Sequence, residues 1–310
     1  MMRALKFALL AVAALVALVY FLDWSERRSH GHYLSDLRIH VESGEARADS
    51  PNVVLVQAQL SPVDYQSLDH LRLKLDAILE RAQAQGMLHR GTLVVLPDHI
   101  GTWLIATGEK VEFYQSRDRY EIRDWLLLGN PLHAVKALLL NLGANRLDEA
   151  LLRMKAEEMA QAYQAFFSDV ARRYSVTVVA GSIVLPSPVF EGGQLHAGKG
   201  VLRNVGLVFS PEGSVVGPMH DDPWPIATRS APETISLEGR QYSIERDIQE
   251  GHPCIRVRRL DTGELSQPVF LRGTLDWPIG GVPRRITLSA HADTLNGPAG
   301  SHVIEAWSTP

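Results

Sequence analysis

The chain has 310 residues, 45% of them hydrophobic and 21% charged, with a formal net charge of −4. That length can bury a substantial core in one domain or two, and the acidic balance lacks the basic stripe of a nucleic-acid-binding surface, so no nucleic-acid partner is expected. The single cysteine, Cys254, excludes an intramolecular disulfide and a cysteine-rich metal site.

The first element is the N-terminus. Arg3 and Lys6 precede an unbroken apolar run from Phe7 to Leu22. With Ala4, Leu5 and Trp24 the segment approaches the roughly 20 residues that cross a bilayer as a helix. A cleaved signal peptide needs a small-x-small site followed by a polar stretch, and Ala11-Val12-Ala13 falls too early. Residues 1–28 are therefore expected to be a membrane anchor, embedded over residues 4–24. Arg3, Lys6 and the amino terminus lie upstream, whereas Asp23, Glu26, Arg27 and Arg28 downstream sum to zero. This bias places the protein as single-pass, with its domain on the extracytoplasmic side.

Residues 29–51 are polar and aperiodic and read as a tether to a domain over 52–310. "NVVLVQAQL" (52–60) predicts a strand buried on both faces. Leu68, Leu71, Leu75, Ile78, Leu79 and Ala82 recur at helical spacing, with Gly86 as a stop. "TLVVLPDHIGTWL" (92–104) predicts a strand that ends on a proline and delivers Asp98. Residues 148–175 predict one long amphipathic helix, with Arg172 and Arg173 in its last turn as the helix dipole prefers. "VTVVAGSIVLP" (176–186) is another buried strand. "NVGLVFSPEGSVVG" (204–217) predicts two strands around a Pro-Glu-Gly turn, and residues 241–265 a hairpin around Glu250-Gly251. Strands alternating with helices up to residue 186 argue an α/β domain.

This order of pieces resembles the carbon–nitrogen hydrolase, or nitrilase, superfamily over residues 52–226, and poorly over 227–310. In that family a glutamate follows the Pro that ends a buried strand, a later strand reads "vaGs", and an Asn precedes a strand closed by a Pro-Asp/Glu-Gly turn. A lysine and a cysteine nucleophile follow. The resemblance implies a nitrilase-type α-β-β-α sandwich, short at its C-terminal end. Its chemistry uses a thiolate to attack an amide or nitrile carbon, a carboxylate to move protons and an ammonium to hold the oxyanion.

The chain departs from the pattern at all three positions. Asp98 stands at the glutamate position, its carboxylate drawn back by roughly 1.5 Å for the lost methylene. Ungapped matching of "GPMHDDPWPI" (217–226) puts Asp222 at the lysine position, where a carboxylate repels an oxyanion. Reading back from Trp277-Pro278 puts Arg272 at the cysteine position. The resemblance thus implies a degenerate, membrane-anchored member that binds a small amide or nitrile, or a partner, without a cofactor. A homo-oligomer is also compatible with it. The alternative is an active amide or nitrile hydrolase with an altered set, Asp98 and Cys254.

In the family the "HIGTW" loop borders the pocket, so His99 and Trp103 are ligand-contact candidates, against packing of Trp103 in the core. If Asp98 and Asp222 face one cleft, at least one carboxyl should titrate high. Cys254, near His252, reads first as a buried apolar residue. Ser182 lacks the second glycine of a nucleophile elbow. His220-Asp221-Asp222, His291-x-Asp293 and His30-x-His32 match no zinc pattern, so no metal is expected. Lys155 reads as a solvated partner of Glu157 and Glu158.

Overall fold

The computed structural model describes residues 2–28, 33–42, 51–116, 119–140, 146–224, 231–249, 251–273 and 297–307. The first helix, α1 (Met2–Glu26), has a segment, Leu5–Glu26, with mean hydropathy 2.5 and none of that window buried by the rest of the chain. It is long and apolar enough to cross a membrane, and apolar all round rather than striped as a helix on a soluble core is. Among the described residues, only its end is held. Trp24 lies 6.5 Å from Trp125, and Lys110 sits 4.0 Å above the Trp24 ring while donating to the Trp24 carbonyl at 2.6 Å. Arg28 donates to the carbonyls of Gly108 and, at 3.0 Å, Gly129.

Strands β1 (Ile39–Glu42), β2 (Asn52–Gln57) and the short β3 (Gln59–Leu60) lead to α2 (Leu68–Ala84) and β4 (Thr92–Val95). Five helices follow: α3 (Val111–Gln115), α4 (Arg119–Gly129), α5 (Pro131–Leu140), α6 (Arg146–Met154) and α7 (Ala156–Tyr174). Next come β5 (Thr177–Val179), β6 (Ile183–Pro186), the small hairpin β7 (Val189–Glu191) and β8 (Gln194–His196), β9 (Leu202–Phe209) and β10 (Val215–Pro223). The chain closes through β11 (Glu233–Leu237), β12 (Arg240–Gln249), β13 (His252–Arg259), β14 (Val269–Phe270), β15 (Arg272–Gly273) and β16 (Ser301–Glu305).

The fold is mixed α/β. The main sheet runs β1-β16-β2-β4-β5-β9-β10, with β6 also on β9; β2, β4 and β5 are parallel to one another, β1 and β16 are parallel to each other, β16 runs antiparallel to β2, and β9 runs antiparallel to β5, β6 and β10. Alternation along its strands decides what each face meets. Val54, Val56, Val94 and Val178 join a core with Leu75 and Ile78 of α2 and Tyr163 and Phe167 of α7. Val53, Leu55, Leu93, Val95 and Val179 point the other way, onto Ile235, Tyr242, Ile244, Ile255 and Val257 of an antiparallel sheet, β11-β12-β13-β14. Burial on both faces explains why β2, β4 and β5 read as continuous apolar runs.

Three expectations change. The proposed tether contains β1, which pairs in parallel with β16, and β16 lies between β1 and β2. The single helix expected over 148–175 breaks into α6 and α7 at Lys155, whose backbone leaves the helical region (φ −118°, ψ 18°). Lys155 is also no solvated partner of Glu157 and Glu158. Its ammonium donates to the Ile105 and Thr107 carbonyls at 3.1 and 2.6 Å and to Glu109 Oε1 at 2.6 Å. Glu109 is buried, and Asn130 donates to both its oxygens. A carboxylate taken out of water needs that cation, so the helix yields there. Trp277, Pro278, His291, Asp293, His30, His32 and Glu250 lie outside the described residues.

Candidate functional site

Carboxyl ends of parallel strands are where α/β sheets place ligands, and the chemistry-bearing residues gather there. Leu96 and Pro97 carry the chain off β4 to Asp98, and Ala180-Gly181-Ser182 leaves β5 alongside. Gly181 has φ +64°, and a Cβ there would lie 2.0 Å from the Pro97 carbonyl oxygen, so only glycine lets the two turns pass. His99 takes φ +60°, its N–H donating to Ser182 Oγ at 2.9 Å.

The register of β9 and β10 supplies the next layer. Gly206 pairs with His220, and Asn204 with Asp222. These four share the parity of Val208, the face toward the second sheet. From that sheet come Arg246, on the same parity of β12 as Tyr242 and Ile244, and Glu233, on that of Ile235. The Arg246 guanidinium lies over Gly206, where a Cβ would meet its Nη2 at 2.6 Å.

The result is a chain of charge buried between the sheets. Arg246 Nε lies 3.5 Å from Asp98 Oδ1, and Arg246 Nη1 is 2.6 Å from Glu233 Oε1. His220 reaches Glu233 through Nδ1 at 2.5 Å and Asp222 through Nε2 at 3.0 Å. His99 Nε2 is 3.9 Å from Asp98 Oδ2, and its ring stands edge-on to Trp224 at 5.0 Å. Asp98 and Arg246 are each 2% exposed, and His99, Ser182 and Asn204 are fully buried. Cavities of about 480, 450 and 320 Å³ open elsewhere, beside α4, between α7 and β8, and between α5 and α7.

Burial raises the cost of ionising Asp98, but His99, Arg246, the Ser182 hydroxyl and His220 outweigh it and hold its carboxyl below the usual range. The expectation of an acid titrating high is therefore not met at Asp98, because a cation lies beside it. His99, pushed down by burial against the pull of Asp98, is held toward neutral imidazole, so the standing counter-charge is Arg246. Glu233 is likewise lowered, burial being overcome by Arg246 and His220.

The signs set a pH dependence. His99 with a lowered folded pKa contributes stability above its unfolded value of roughly 6.5, lost as pH falls through the folded pKa. Asp98 and Glu233 contribute stability above roughly pH 4, lost only in stronger acid. The denaturant midpoint should therefore fall between pH 8 and pH 5. His99→Asn, which also suits a left-handed backbone, should flatten that part of the profile and leave the steep acid limb. Equal slopes in both proteins would refute the assignment.

The other sequence candidates separate. Asp222 belongs to the cluster, two residues from His220 on the same face of β10. Arg272 does not join it: the guanidinium, 1% exposed, donates to the Pro298 carbonyl at 3.0 Å and lies 3.5 Å from Gln57 Oε1, beside β3. Trp103, 2% exposed, packs in the helix-side core 6.3 Å from Tyr65, so it is a core residue rather than a ligand contact. Cys254 has the parity opposite to Ile255 and faces away from the main sheet, its thiol pushed up to about 12 by burial. Ser182 and His99 form no nucleophile relay, because His99 Nδ1 lies 3.2 Å from Thr102 Oγ1.

Sequence reasoning missed Arg246 and Glu233. The signal was there: in "QYSIERDI" and "ETISL" a charged residue occupies the alternate positions otherwise held by Tyr242 and Ile244 or by Ile235 and Leu237. A charge on the apolar parity of a strand marks a buried pair. Comparison with protein-family models, curated proteins and solved structures finds no match to this chain.

Proposed function

We propose that the protein is a single-pass membrane protein whose domain, on the extracytoplasmic side, is a catalytically degenerate relative of the carbon–nitrogen hydrolases, acting by binding a ligand or partner rather than by hydrolysis. The helix–sheet–sheet order supports three of the four layers of a nitrilase-type sandwich. The close approach of the strand–Pro–acid turn and the AGS turn supports the reading.

The observation that carries the reading is Arg246 against Asp98. A guanidinium stays charged at every working pH, and a carboxylate tied to it is a poor proton acceptor. The altered-hydrolase alternative needs Cys254 as a thiolate near Asp98. That thiol is fully buried, faces the opposite side of its sheet and resists ionisation.

Two results are expected. Cys254→Ala should leave any amide turnover unchanged, and thiol reagents should modify Cys254 only after denaturation; a 100-fold loss of turnover, the scale of a real catalytic group, would restore the hydrolase reading. Alkaline carbonate should leave the protein in the membrane fraction. Recovery of a soluble mature form beginning near residue 25–30 would remove the anchor.

A further inference from the structure

The helix α5 presents an unusual outer face. Leu132, Val135 and Leu139 are 64, 57 and 71% exposed, spaced to form one stripe, while Ala134 and Ala137 are buried beneath it. Leu128, near the end of α4, is exposed as well. Single exposed aliphatic residues need no explanation, but three on one face of a ten-residue helix leave an apolar strip in water.

The position of the strip says what covers it. Arg28, just past the end of α1, binds the Gly129 carbonyl two residues before α5 begins, and Trp24 meets Trp125 on α4. Tryptophans and basic residues at a helix end mark the membrane–water boundary, so α5 starts at the level where α1 leaves the bilayer. His133 and Lys136 stand exposed on α5 and, with Arg153 and Lys199, line a cavity of about 320 Å³ in which Glu157 is the one acid among the lining residues. An apolar stripe flanked by basic groups is the pattern of a helix lying in the headgroup region.

We infer that the outer face of α5 lies in the interfacial layer of the same membrane that α1 crosses, with Leu132, Val135 and Leu139 among the lipid chains and His133 and Lys136 at the phosphates. This rests on the reading of α1 as a spanning helix. Together the two contacts fix how the domain stands on the membrane.

The test uses the full chain in vesicles of mixed phosphatidylcholine and phosphatidylglycerol. Leu132→Cys, Val135→Cys and Leu139→Cys are each labelled with a small fluorophore; buried Cys254 stays unlabelled in the folded protein. Leu15→Cys in α1 and Thr262→Cys, in the turn after β13 on the opposite side of the main sheet, serve as references. The expected result is severalfold stronger quenching by lipid-borne nitroxide at the three α5 positions and Leu15 than at Thr262, with iodide quenching in the reverse order. Lipid quenching at Leu15 with iodide quenching on α5 would overturn the inference and leave the anchor standing. Shielding of α5 from both quenchers, with energy transfer between copies, would overturn it in favour of a second copy as the occupant. Failure of lipid quenching at Leu15 would overturn the spanning reading itself, and the inference with it.

Discussion

Arg246→Met should destabilise the domain by about 3–5 kcal/mol, the cost of leaving buried charge without its partner. The methionine fills much of the same volume over Gly206, so loss of packing contributes little. What remains is Asp98 at 2% exposure and Glu233 at 9%, each deprived of its principal cation. Adding Asp98→Asn and Glu233→Gln to Arg246→Met should recover much of the loss, because residues in one network are strongly non-additive. Denaturant unfolding of the detergent-solubilised full chain, followed by tryptophan fluorescence, measures this. Additive losses across the three changes would mean that the groups do not act as one cluster.

Gly181→Ala should be nearly as severe through a different cause. A left-handed backbone costs a residue with a Cβ about 1–2 kcal/mol, and here the new atom would also stand 2.0 Å from the Pro97 carbonyl oxygen. Backbone cannot swing aside as a side chain can, so overpacking adds about 1–3 kcal/mol. The displacement passes from Pro97 to Asp98, so the loosened pair with Arg246 should also show as a shallower loss of stability in acid, because the Asp98 carboxyl then titrates closer to its unfolded value. Gly192→Ala, in a turn with nothing within 4 Å of its Cβ position, is the control for the backbone term alone. Equal losses at 181 and 192 would remove the close approach of the two turns from the explanation.

Much of the fold was legible because the strands carry their burial in their composition. The apolar runs within 52–60, 92–104 and 176–186 announced buried strands, although 176–186 divides around Gly181 into β5 and β6, and the Pro-Glu-Gly turn placed β9 and β10. Short or contested segments were not legible. β1 and β16 are four and five residues long and pair only with strands distant in sequence, so no local signal exceeds that of a polar linker. The break at Lys155 depends on Glu109, a buried acid 46 residues earlier that no periodicity reveals.

The site divides in the same way. Asp98 and Asp222 were found because they stand in short motifs whose order carried information. Arg246 and Glu233 come from a second sheet, where the resemblance had faded. Their absence turned a cluster with a strong cation into an expected clash of two acids. Arg272 has Gln57 and Pro298 as its partners rather than the charged cluster, and an ungapped count through a poorly matched region carries no information about packing.

The most direct test compares the full chain with its Asp98→Asn variant over a panel of small amides and nitriles at pH 7.5. A carboxylate held by Arg246, with no thiolate beside it, should give no turnover above that of Asp98→Asn for any compound. Turnover in the parent that falls by about 100-fold or more in Asp98→Asn, the loss expected of a general base, would show instead that the buried cluster opens and works.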